Sequence, residues 1–242
     1  MSERKEILDI ALKSLKSKHI DLIDRIETLE KQREDALGLY RLILLGDPQK
    51  IIYEYHFFMQ GILTRTINLL ESFVIDLCLQ NIYSTTMTLR AHYETLASLN
   101  YYLKYPDKRN RLMWGEKYKD KENDVKIVAI NIIDMLRKLD QDTPSWMKVM
   151  EDYEEMSQII HPNKKSNLAG VKEGIQENGK TILNFSSHTE MDGFEVKTAI
   201  NAHINLVSFI LNSIKEFDDL FCKAKNIQKI MPILKERNET TN

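Results

Sequence analysis

From Ser2 to about Leu45 the apolar residues recur alternately four and three positions apart. Leu8, Leu12, Leu15, Leu22, Ile26, Leu29, Ala36 and Tyr40 form this seam, and His19 and Arg33 fall on it as well. The spacing is a heptad repeat, and the Lys, Glu, Asp and Arg between seam positions supply the solvated surface such a helix requires. It predicts one long N-terminal heptad helix over residues 1–46. The seam can be buried against a second copy, giving a homodimer through residues 8–40, or against the chain's own body. In either case His19 and Arg33 fix register at a cost in stability.

Gly46, Asp47 and Pro48 break the pattern, with Gly suited to a C-terminal cap, Asp to an N-cap and Pro to a first turn. Between Ile51 and about Gln80 the apolar residues Phe57, Phe58, Ile62, Leu69, Leu70, Phe73, Val74 and Leu77 occupy more than one stripe. This predicts a central, largely buried helix whose conspicuous charge is Arg65. Asn81 to Ser84 allows a turn, and the next helix runs to Tyr105, where Pro106 stops it. Within it Arg90 and Glu94 stand at i and i+4, on one face with Met87, Ala97 and Tyr101, while Leu89, Leu96 and Leu99 fill the other sides. A base and an acid set among so many apolar positions are costly unless partnered. The stretch therefore carries a structural ion pair or lines a polar pocket.

Residues 107–126 are dense in Lys and Arg, with Trp114 and Tyr118 interleaved. Lys108, Arg109, Arg111 and Trp114, joined by Lys164 further on, are candidate nucleic-acid contacts by phosphate pairing and base stacking. The acids Asp107, Glu116, Asp120, Glu122 and Asp124 read the same segment as a solvated helix. Val125 to Leu139 is expected to be an amphipathic helix, and Thr143 and Pro144 open the next one, Ser145 to Ile160. Tyr153, Ser157 and His161 lie four apart on one face of it, and Pro162 holds His161 at its end. A histidine there can serve as base or imidazolium; the three can equally form a hydrogen-bonded core network.

From 164 to 188 the helical pattern fails. Gly170, Gly174 and Gly179 punctuate the interval, and Thr181 to Phe185 alternates like one strand of a hairpin around Glu177-Asn178-Gly179. A last helix, Phe194 to about Lys223, carries a core stripe with His203 beside it, expected to be a satisfied core residue. Residues 224–242 form a tail.

The whole predicts an all-α bundle of about six or seven helices, its body spanning 47–223 with an insertion at 164–188. Composition agrees: among 242 residues there are 8 Gly and 5 Pro, and 43% are hydrophobic, enough for a real core. A net charge of −2 confines any nucleic-acid site to a local patch. Cys78 and Cys222 lack metal or disulfide spacing. The N-terminus has no apolar leader and no stretch is long and apolar enough to span a bilayer, so a cytoplasmic chain without membrane contact is expected. No Gly-rich phosphate loop, His-Glu-x-x-His, cysteine pair or nucleophile elbow is present, and no cofactor or metal is implied.

One combination carries a resemblance: the Arg-x3-Glu helix (LRAHYE), the basic aromatic segment, and Tyr-x3-Ser-x3-His-Pro (YEEMSQIIHP). It resembles a family of bacterial all-α proteins distantly similar to HEPN domains, the higher eukaryote and prokaryote nucleotide-binding bundles of toxin, abortive-infection and phage-defence systems. The resemblance covers roughly Ile51 to Phe217. It implies either a scaffold with a protein partner in a defence complex, or a metal-independent RNA-cleaving or nucleotide-binding pocket. In the second case His161, Arg90, Glu94, Ser157 and Tyr153 would be the catalytic residues. Active HEPN ribonucleases carry an arginine separated from the histidine by four to six intervening residues, where this chain has Met156, Glu155 and Glu154. The cation for a phosphorane-like charge would then come from Arg90 or Arg65.

Overall fold

The computed structural model describes residues 3–45, 54–109, 112, 116–119, 125–128, 130–142, 146–160, 171–177, 180–185, 191 and 193–224. Among these, seven α-helices account for most of the chain: α1 (Glu3–Lys18), α2 (Ile23–Leu45), α3 (Glu54–Cys78), α4 (Ile82–Lys104), α5 (Ile132–Asp142), α6 (Trp146–Ile160) and α7 (Gly193–Ala224). The all-α bundle expected from periodicity is the architecture observed. No helix among the described residues is long and apolar enough to cross a membrane.

The expected single N-terminal helix is two. α1 has acids in its first turn, Glu3 and Glu6, and Lys16 and Lys18 in its last, complementing its dipole. It stops before His19, whose backbone (φ −125°, ψ 68°) leaves the helical region, and a 3₁₀ turn, Ile20–Leu22, leads into α2. The chain then doubles back. Lys16 Nζ lies 2.6 Å from Glu30 Oε2, and the carboxylate of Glu71 in α3 takes Arg4 Nε at 2.7 Å and Arg33 Nε at 2.8 Å. In one straight helix Lys16 and Glu30 would stand about 21 Å apart and Arg4 and Arg33 about 43 Å, at the ordinary rise per residue. Leu8, Leu12, Leu15, Leu22, Ile26, Leu29 and Ala36 are all buried in a core shared with α3, α4 and α7. Of the two burials open to the seam over residues 8–40, the one against the chain's own body is seen for these positions. Residues on either side of 46 contribute to the same core.

α3 ends in a turn where Gln80 takes a left-handed conformation (φ 55°), and Asn81 Oδ1 caps α4 by accepting from the Ser84 amide at 3.1 Å. α4 then packs against α3, α5, α6 and α7. It belongs to two clusters. Leu96, Leu99 and Tyr102 join the main core, while Ala97 joins Leu136, Leu139 and Tyr153 in a smaller one built with α5 and α6.

Two antiparallel hairpins complete the described chain. β3 (Val171–Glu177) and β4 (Lys180–Phe185) pair with Glu177 opposite Lys180, and Asn178 and Gly179, expected to make the turn, lie outside the described residues. The other was not anticipated: β1 (Glu116–Lys119) pairs with β2 (Val125–Val128), so residues 125–128 are strand rather than the start of an amphipathic helix, and α5 opens only at Ile132. Val125, Ile127 and Val128 are β-branched, which favours the strand over the helix.

Candidate functional site

α4 and α6 present the polar constellation. Both Arg90 and Glu94 face Tyr153 of α6 across the helix interface. Arg90 Nη2 donates to the Tyr153 hydroxyl at 2.7 Å, and that hydroxyl donates onward to Glu94 Oε1 at 3.1 Å. The other Glu94 oxygen, Oε2, accepts from Arg65 Nη2 of α3 at 2.9 Å. Arg90 Nε stands 3.7 Å from Glu94 Oε1, and the Arg90 guanidinium lies over the Tyr153 ring, 4.7 Å from its centre. One hydroxyl thus joins a cation and an anion, and one carboxylate joins three helices. Beside it Tyr93 donates to Asp152 at 3.0 Å, a second tie between α4 and α6.

Burial is graded across the cluster. The side chains of Arg90, Glu94 and Arg65 are 24%, 30% and 49% exposed, so solvent reaches the site from the Arg65 side. There a groove of about 560 Å³ runs along the outer face of α3, with Phe57, Gln60, Thr64, Arg65 and Asn68 among its lining. The Tyr153 ring is buried, and desolvation raises the pKa of its hydroxyl despite the Arg90 hydrogen bond that pulls the other way. Tyr93 is raised as well, first by burial and then by Asp152. Both phenols stay protonated near neutrality and act as donors, not as bases. Each Glu94 oxygen accepts one of these hydrogen bonds.

Of the expected Tyr153, Ser157 and His161 face, α6 carries the first two among the described residues. Ser157 Oγ donates to the Tyr153 backbone carbonyl at 2.8 Å, a bond within the helix, and the Tyr153 hydroxyl turns across to α4. His161 lies outside the described residues, as do Arg111, Trp114 and Lys164. Of the candidate nucleic-acid contacts that are described, Lys108 is half-exposed beside Asp107 at 3.4 Å. Arg109 is turned inward: Nε donates to the Tyr102 carbonyl at 2.9 Å, and the guanidinium covers the rings of Tyr102 and Phe217. Its charge is engaged in packing the α4 and α7 ends together.

Arg65 stood out in the sequence as a charge in an apolar helix, but its partner is 29 residues away and no local spacing announces it. Among the described residues no cluster of His, Cys, Asp and Glu could hold a metal ion. No protein-family model matches the chain, and neither a curated protein nor a solved structure is detectably similar to it.

Proposed function

We propose that this chain is a helical interaction or scaffold module, and that Arg90, Glu94 and Tyr153 hold its helices in register rather than turn over a substrate. The observation that supports this reading is the hydrogen-bond sequence Arg90–Tyr153–Glu94–Arg65, in which three of the groups named as catalytic, Arg90, Tyr153 and Glu94, are each other's partners. A bacterial defence or toxin-type setting rests on the likeness of the LRAHYE and YEEMSQIIHP segments to HEPN-like proteins.

The test compares wild type with Tyr153→Phe, Glu94→Gln and His161→Ala for thermal stability and for cleavage of a mixed single-stranded RNA pool without divalent metal. The module reading expects no cleavage by any of them and lowered melting temperatures for Tyr153→Phe and Glu94→Gln. Cleavage by wild type that is lost in His161→Ala at unchanged melting temperature would overturn it. One observation favours the ribonuclease alternative enough to include Arg65→Ala: a half-exposed guanidinium on an open groove can meet a phosphate. Under that alternative this variant lowers RNA affinity while the fold persists.

A further inference from the structure

His92 of α4 and His203 of α7 meet edge to face inside the main core, their ring centres 4.3 Å apart and their planes at 88°. His203 also stacks on Phe73 of α3, 3.9 Å away. Both histidines are fully buried, and none of the four ring nitrogens has a hydrogen-bond partner. His203 is buried as expected, but it is not satisfied, and its neighbour comes from a different helix. A neutral imidazole brings one donor and one acceptor, and both are unmet here on each ring. An added proton would find no acceptor at all. The charged and titratable groups whose fields act on the pair are Arg65 of α3, which acts on His92, and the two imidazoles themselves.

We propose that His92 and His203 form an acid-operated release of the α4–α7 contact, closed while both rings are neutral and opened when either takes a proton. His92 sits between Arg90 and Glu94 in sequence but meets α7, whereas those two meet α6. Acid therefore loosens α7 from α4 while the network on the other side of α4 keeps its hold on α6.

The direction follows from the proton balance. Burial, and then the Arg65 charge, lowers the His92 pKa from 6.5 to about 3, and burial, then His92, lowers that of His203. The open state binds protons more readily than the closed one, so the contribution is fully present above pH 6.5 and is lost as pH falls from there toward 3. Each ring shifts the open-to-closed ratio by up to about tenfold per pH unit, and the pair by up to about a hundredfold.

The experiment is hydrogen exchange of the full chain between pH 8 and pH 5, corrected for intrinsic rates, alongside NMR titration of the histidine ring carbons. Opening of α7 amides around His203 should rise by about five- to thirtyfold from pH 6.5 to 5.5, with α6 changing less. His92→Phe and His203→Phe should each reduce that slope, and the double variant should abolish it. Exchange in wild type no steeper than in the double variant would overturn the proposal. If the double variant does not fold, the ring titration decides. Rings that stay neutral until α7 opens support the release, and rings that titrate near 6.5 in the folded chain refute it.

Discussion

Tyr153 is the side chain through which α6 is tied to the charged positions of α4. Replacing it with Phe keeps the ring under Arg90 but removes a hydroxyl that both accepts and donates, leaving Arg90 and Glu94 without a shared partner in a partly buried site. A loss of about 1–3 kcal/mol is expected, read from urea unfolding. Arg65→Ala should cost less, within about 1 kcal/mol, because water screens its half-exposed pair with Glu94. The same tyrosines set an alkaline limit. Tyr93 and Tyr153 have pKa values raised above the ordinary 10, so the unfolded chain gives up these protons first. Their contribution is present below pH 10 and declines above it, and Tyr93→Phe should flatten that decline in a pH series of melting temperatures. The i,i+4 pairing of Arg90 with Glu94 was legible from spacing alone. The hydroxyl between them was not, since Tyr153 is 63 residues from Arg90 and its own helix offered Ser157 and His161 as nearer partners.

α1 and α2 show how a period can be read from sequence while the surface that buries it stays open. A heptad stripe reports that one face is buried and says nothing about what buries it. Here both halves turn their stripes to the same body, held by Glu71 between Arg4 and Arg33. Replacing Leu15, Leu22 and Leu29 with Glu should accordingly unfold the chain rather than release a folded monomer. Leu29→Ala alone, at a fully buried site, should cost about 2–5 kcal/mol, with circular dichroism and sedimentation as the readouts. At α4 the cap is the sensitive point. Asn81→Ala removes the acceptor for the Ser84 amide and should cost about 0.5–2 kcal/mol.

Across the whole molecule the two cores are unequal. The main one draws on α1, α2, α3, α4 and α7, whereas α5 and α6 pack chiefly on α4 and on each other. Amides of α5 and α6 should therefore exchange faster than those of α3 and α4 at neutral pH, and Tyr153→Phe should widen the gap. Most of the helices, the breaks at 81 and 106, and the hairpin that sets Glu177 opposite Lys180 were legible in the sequence itself. Each depends on residues a few positions apart: a hydrophobic period, a cap, a proline, an Asn-Gly pair. The reversal at His19, the meeting of Arg65 with Glu94, and the burial of His92 against His203 were decided only by tertiary structure. In each, the free energy belongs to a contact between helices, and hydrophobic period within one helix carries no term for the identity of the neighbour it will face.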